Sequence, residues 1–262
     1  MIVEFDNVSK RFESDGSVSD ESTSGFAVKD LTFHIGEHEL IAVVGKTGCG
    51  KSTMFNLLIG LIEPTSGSVR VLGKNPFAQF NDLAGKISVV FQSDRLLPWR
   101  TTLENVTYGL ELRKVPKEER LAAGREWLQR LGLEMHADKW PLLLSGGMRQ
   151  RVSIARAFAT NPEILLCDEP FSALDELTGA NLRQEFHRLV KETHKTGVFI
   201  THSINEAIDI GDRILVLHSP GHVVAEFSVA QALKECSREQ LKQKILDVMS
   251  DAAPDRQLAK IV

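Results

Sequence analysis

The sequence has little of what marks several protein classes. Its three cysteines, Cys49, Cys167 and Cys236, are far apart and odd in number, so neither a disulfide framework nor a zinc ligand set can be read from them and a reducing cytosol is expected. Apolar stretches such as Leu40 to Val44 and Ile164 to Cys167 fall far short of the roughly 20 residues that span a bilayer. The opening MIVEFDNVSK, with Glu4 and Asp6, lacks the basic flank and apolar core of a signal peptide. Positive charge is not in excess either, since 31 Lys and Arg against 35 Asp and Glu leave a net charge of −4. No overall field therefore favours nucleic-acid phosphates, and nucleic acid is not an expected partner. With 42% apolar residues, 19 Gly and 9 Pro in 262 residues, the composition excludes collagen-like and disordered classes. The length suffices for a buried core in one large domain or two small ones.

Hydropathy then sorts the chain into elements. Val3 and Phe5, and later Leu31, Phe33 and Ile35, alternate with polar neighbours, whereas Glu39 to Gly45 reads as a strand covered on both faces. Between them, residues 13–25 are acidic and Ser-rich with no apolar period, which predicts a loop. Met54, Leu57, Leu58 and Leu61 recur at helical spacing and stop before Pro64. Strands are expected at Ser68 to Leu72 and Lys86 to Phe91, then helices from about Thr101 to Thr160 broken at Pro116, Gly132 and Ser145-Gly146-Gly147. From Glu163 onward the pattern is strand, long helix to about His194, strand, short helix and strand, the alternation of a parallel sheet with crossover helices. A strand at His222 to Phe227 precedes a polar helical tail.

Two segments carry chemistry that can be read directly. Gly45-Lys46-Thr47-Gly48-Cys49-Gly50-Lys51-Ser52-Thr53 fits G-x-x-x-x-G-K-[ST] between a predicted strand and a predicted helix, the context of a phosphate-binding loop. A polyphosphate needs a tight turn with inward N–H groups, which the glycines permit; the helix N-terminus adds its dipole, Lys51 reaches the terminal phosphates and Ser52 ligates Mg²⁺. Lys46 is read as lying on the exposed surface of this loop. Ile164 to Pro170, ILLCDEP, is an apolar strand ending in two acids, with Asp168 placed to hold Mg²⁺ and Glu169 to act as general base on the attacking water. Cys167 is expected to be buried packing.

These motifs define a P-loop nucleotidase, and a third narrows it. Leu144-Ser145-Gly146-Gly147-Met148-Arg149-Gln150-Arg151 resembles the signature sequence of the ABC transporter ATPases, with Met148 where many members carry Gln. Ser145 and the two glycines at a helix start offer hydroxyl, N–H groups and dipole to a phosphate. The resemblance implies that Ser145, Gly146 and Gly147 cap the ATP held by a second copy. It further implies that Gln92 contacts Mg²⁺ or the water, that Ser172-Ala173-Leu174-Asp175 is the D-loop at the dimer interface, that His202 hydrogen-bonds the γ-phosphate, and that Phe12 stacks on adenine. By themselves Gln92 would be a surface turn residue, Ser172 a helix N-cap and His202 structural; Phe26 is the alternative aromatic.

The resemblance runs from Val3 to about Phe227. Its fold is an α/β P-loop NTPase (RecA-like) core with an antiparallel β subdomain and an inserted helical subdomain, the ABC ATPase fold. Residues 1–92 and 161–228 would form the core with the β subdomain, 93–160 the helical subdomain and 229–262 a C-terminal helical tail. Leu96-Leu97-Pro98-Trp99 followed by TTLENV resembles the nitrate/sulfonate/taurine importer branch. Leu97, Pro98 and Trp99 would form an exposed apolar patch receiving a permease helix, although Trp99 could instead pack the helical subdomain. The resemblance implies an ATP-hydrolysing, Mg²⁺-dependent homodimer, peripheral on the cytoplasmic face of the inner membrane, partnered by permease subunits and indirectly by a solute-binding protein. The solute expected from that branch is a small anion or sulfonate. The alternative is an importer for another solute such as a pyrimidine, polyamine or sulfate, or a same-family exporter subunit. A non-transport ABC protein, which would need a long coiled-coil insertion or a second motif set, is disfavoured by the single set present.

Overall fold

The structure, a computed structural model, describes residues 1–12 and 25–250 and the backbone of 259–260. The acidic segment 13–24 and the remainder of the tail beyond 250 lie outside the described residues. The chain divides into two units, residues 1–83 with 198–262, and residues 84–197. Among the described residues no helix is long and apolar enough to cross a membrane.

The first unit starts with an antiparallel sheet, ordered β2-β1-β4. Strands β1 (Val3–Arg11) and β2 (Phe26–Ile35) precede β3 (Leu40–Gly45), helix α1 (Lys51–Leu58) and β4 (Ser66–Val71). The alternation seen in the sequence sets the register: Val3 faces Ile35 and Val71, and Phe5 faces Phe33 and Val69. Phe5 and Phe33 stack with centroids 4.6 Å apart, an arrangement that adds to simple area burial. Every residue of β3 is buried, as its unbroken apolar run requires.

The second unit pairs β5 (Ile87–Val90) in parallel with β6 (Ile164–Asp168). Its helices are α2 (Thr102–Leu112), α3 (Lys117–Arg130), α4 (Gly146–Ala159) and α5 (Glu176–Glu192). Thr101 and Glu104 form a capping box that starts α2, the reciprocal bonding that satisfies two otherwise unpaired donors. Phe158 of α4 sits 4.8 Å from Trp127 and 5.9 Å from Phe186, and Phe186 is 5.8 Å from Phe171. This aromatic chain joins α3, α4 and α5 to the turn after β6.

The chain returns to the first unit through β7 (Thr196–Ile200), followed by α6 (Ile204–Ile210), β8 (Arg213–His218), β9 (His222–Ser228), α7 (Val229–Glu235), α8 (Arg238–Ser250) and β10 (Ala259–Lys260). There the strand order is β10-β9-β8-β3-β7, with β8 parallel to β3 and β9 antiparallel to β8. Leu241 and Ile245 of α8 are fully buried in one cluster with Ala42, Val44, Ile214 and Val216. The described part of the tail thus belongs to the core beneath β3, the strand that delivers the glycine-rich loop.

Candidate functional site

In the first unit, β3 ends at Gly45 and α1 begins after Gly50. A Cβ at Gly45 would lie 2.5 Å from the Leu217 carbonyl oxygen and 2.6 Å from Cys49 Sγ. Gly50 has φ +103°, and a Cβ there would approach the Ala27 carbonyl oxygen to 2.5 Å. Both positions therefore exclude a side chain. No side chain caps α1 and its first turn carries no acidic residue, so its N-terminal dipole is not neutralised locally. Lys51 Nζ folds over the loop, donating to the carbonyls of Gly45 at 2.6 Å and Lys46 at 3.1 Å. Lys46, Thr47, Gly48 and Ser52 are exposed, Thr53 is half-buried and Cys49 is buried.

His202, also in the first unit, is exposed just after β7. Its neighbours fix the turn: Thr201 Oγ1 donates to Glu206 Oε2 at 2.6 Å and accepts from Ser203 N at 3.0 Å, and Ser203 Oγ caps α6 at Glu206 N. Phe12 is 49% exposed, with Lys10 Nζ 5.4 Å from its ring centre. Phe26 is half-buried beneath the Arg11 guanidinium.

In the second unit, Asp168 ends β6, and both it and Glu169 are half-buried. Glu169 has φ +46°, a left-handed conformation that costs a non-glycine residue about 1–3 kcal/mol and collects at functional sites. Its carbonyl is held twice by Ser172, through N at 3.2 Å and Oγ at 3.0 Å. Ser172 therefore does not cap the following helix, the role it would have when read alone. Asp175 does so, accepting from Thr178 N at 3.0 Å, and this bond draws its carboxyl below the usual carboxylate range. Ala173 is exposed and Leu174 half-buried in the same turn. Burial pushes the Cys167 thiol well up, consistent with inert packing.

Ser145 is the N-cap of α4, its Oγ accepting from Met148 N at 3.3 Å; Gly146 is exposed and Gly147 half-buried. Gln92 is exposed. What the sequence did not reveal is how its segment is held. Arg149 Nε donates to Asp94 Oδ2 at 2.8 Å, and Arg156 donates to the carbonyls of Asp94 at 2.7 Å and Arg95 at 2.8 Å. Arg149 and Arg156 stand seven residues apart on one helix, a same-face spacing that could have signalled a shared partner. Leu97, Pro98 and Trp99 follow. The buried Asn105 amide accepts from Leu97 N at 2.7 Å and donates to the carbonyls of Leu97, Arg100 and Thr101. That tether leaves Trp99 69% exposed, so it does not pack its own subdomain.

A family described as ABC transporter matches residues 28–172. The chain belongs to the ABC transporter family. It is 39% identical to the ABC transporter ATP-binding protein MJ0412 of Methanocaldococcus jannaschii, over 94% of this chain and 90% of that protein. Identity is 42% both to the bicarbonate transport ATP-binding protein CmpC of Synechococcus elongatus, covering 84% of this chain and 32% of that protein, and to the taurine import ATP-binding protein TauB of Rhizobium johnstonii, covering 78% and 76%. Among solved structures, the dimeric post-hydrolysis state of the ATP-binding cassette MJ0796 bound to ADP and Pi superimposes with a TM-score of 0.74 at 37% identity, covering 87% of this chain and 98% of that one. The fold is therefore that of an ABC ATPase, and the chain is the ATP-binding, ATP-hydrolysing subunit of an ABC transporter.

Its residues suit ATP and Mg²⁺, the family's substrate and cofactor. The tight turn, whose glycines at 45 and 50 are seated against the Leu217 and Ala27 carbonyls where no Cβ fits, together with the uncapped α1 and the Lys51 cation, suits a polyphosphate. The Ser52 hydroxyl and the Asp168 carboxylate are hard oxygen donors of the kind Mg²⁺ takes.

Proposed function

We propose that this ABC subunit works as a homodimer on the cytoplasmic face of the inner membrane, powering uptake of a small anion or sulfonate-type solute through permease subunits fed by a solute-binding protein. The loop from Gly45 to Thr53 binds the phosphates through its backbone N–H groups and Lys51, while Phe12 stacks on the adenine. Ser52, Gln92 and Asp168 hold Mg²⁺, which when bound neutralises charge on the phosphate oxygens. Glu169 accepts a proton from the attacking water as that oxygen bonds to the γ-phosphorus and the bond to the β-phosphate oxygen breaks, leaving ADP and phosphate. His202 donates to the γ-phosphate. Ser145, Gly146 and Gly147 of a second copy close over it and exclude water, so fixed dipoles meet the developing charge. Ser172, Ala173, Leu174 and Asp175 lie at that dimer interface. The dimeric state of the similar cassette supports the homodimer.

The observation that carries the transport reading is the segment Leu97 to Trp99, whose backbone is pinned by Asn105 so that a large aromatic is presented outward. Pre-ordering the backbone that carries an exposed tryptophan suits a binding surface, because little backbone entropy is lost on docking. The similarity to bicarbonate, taurine and betaine transport subunits supports solute uptake, and the small-anion or sulfonate class rests on the Leu96-Leu97-Pro98-Trp99 resemblance. The test is affinity capture from detergent-solubilised host membranes, with the Glu169→Gln protein and ATP as bait and partners identified by mass spectrometry. A multi-span permease is expected, with recovery falling at least about tenfold when Trp99→Ala is added. Capture of soluble partners alone, by bait that dimerises with ATP, would contradict the transport reading.

A further inference from the structure

Arg149 makes two divergent contacts from one guanidinium. Its Nε donates to the Asp94 carboxylate at 2.8 Å, and its Nη1 donates to the Leu144 carbonyl at 2.9 Å. Leu144 immediately precedes Ser145, and Asp94 lies two residues after Gln92. We propose that Arg149 is a positioning residue that fastens the backbone ahead of Ser145 to the segment following Gln92, so that the two shift as one piece.

The surroundings make each end of this link stiff. At the helix end, Arg149 N bonds to the Ser145 carbonyl at 2.9 Å and Ser145 Oγ bonds to Met148 N at 3.3 Å. At the segment end, Asp94 Oδ1 accepts from Leu96 N at 3.2 Å, Arg156 holds the carbonyls of Asp94 and Arg95, and Gln150 Nε2 reaches the Phe91 carbonyl at 3.5 Å. Arg95 lies over the Phe91 ring at 3.8 Å. Gln92 is thus bracketed by residues tied to α4. Arg156 and Gln150 fix the segment to the body of the helix, and Arg149 extends the tie to the residue before Ser145. A lysine ammonium carries all its donors on a single nitrogen, so it does not offer the separated Nε and Nη1 donors of the planar fork. The side chains of Arg149 and Asp94 are 37% and 29% exposed, so an ion pair there adds little to stability. Its value lies in geometry.

This inference rests on the proposed roles of Gln92 at the ATP of its own chain and Ser145 at that of the second copy. Under those roles, the link makes closure over one nucleotide report on the other. The test uses the purified full chain and the variants Arg149→Lys, Arg149→Gln, Asp94→Asn and the double swap Asp94→Arg with Arg149→Asp. Each single variant should lower kcat about tenfold with KM for ATP changed less than about twofold, while Tm moves by less than about 3 °C. The swap should not restore kcat, because a carboxylate at position 149 cannot donate to the Leu144 carbonyl. Amide hydrogen exchange of Arg149→Lys should quicken together at 93–97 and 145–149.

Wild-type kcat in both Arg149 variants, full recovery in the swap, or faster exchange in neither segment or in only one would each overturn the proposal. Wild-type turnover in both Gln92→Ala and Ser145→Ala would instead overturn the functional reading. In that event the exchange measurement still decides whether the link exists.

Discussion

The phosphate loop at 45–53 and the Gln92 segment are both surface turns, yet they are held by different means. The loop is shaped by backbone sterics: a Cβ at Gly50 would lie 2.5 Å from a main-chain oxygen that cannot move aside. The segment from Phe91 to Arg100 contains no glycine and takes its course from side chains reaching in, with Arg149 contacting Asp94 across 55 residues of sequence and Asn105 tethering Leu97. A turn whose glycines are seated against main-chain oxygens of β2 and β8 is held by the strands themselves. A turn built from borrowed side chains moves with the helix that lends them, which suits the link proposed between Gln92 and Ser145.

The largest effect is expected at the loop. Gly50→Ala forces a side chain into a left-handed conformation and onto the Ala27 carbonyl, so ATP affinity by titration calorimetry should drop at least about a hundredfold. Retained affinity would show that sterics do not set the loop. On the borrowed side, Asn105→Ala leaves Leu97 N and nearby carbonyls without their partner and should cost about 1–3 kcal/mol in denaturant unfolding. Hydrogen exchange should quicken at Leu97 while ATP affinity stays unchanged, and altered affinity would contradict the separation drawn between the two turns.

The smallest expected effect lies at Asp175. Its carboxyl titrates below the usual range because the ionised form accepts from Thr178 N. A lowered folded value means that this stabilisation is present above the unfolded carboxylate pKa and fades as pH falls through the folded one. The difference in urea midpoint between wild type and Asp175→Ala should therefore be visible near neutrality and shrink in acid. A difference that persisted in strong acid would show that the cap does not depend on charge.

The same contrast explains what could be read from the sequence. The buried strand before Gly45, the glycine spacing and the helix after Gly50 are local patterns, so the loop's position was plain. So were the breaks at Pro116 and Gly132 and the apolar strand ending at Asp168, since each depends on neighbours in the chain. Ser172 and Asp175 show where locality ended: both suit a helix start, and only the turn geometry sends the Ser172 hydroxyl back to Glu169 and leaves the cap to Asp175. The arginine ties of α4 and the pairing of Thr201 with Glu206 were hidden because a lone Arg, Thr or Glu on a polar face carries no record of its partner. The left-handed backbone at Glu169 likewise has no signature in residue type.

In the proposed mechanism Glu169 takes the proton of the attacking water, while the glycine-built loop binds ATP independently of it. ATP affinity and turnover of Glu169→Gln, measured side by side on the same preparation, test this directly. Affinity within about twofold of wild type and turnover lower by a factor of about 100 to 10,000 are expected. Turnover near the wild-type value with ATP bound would contradict it.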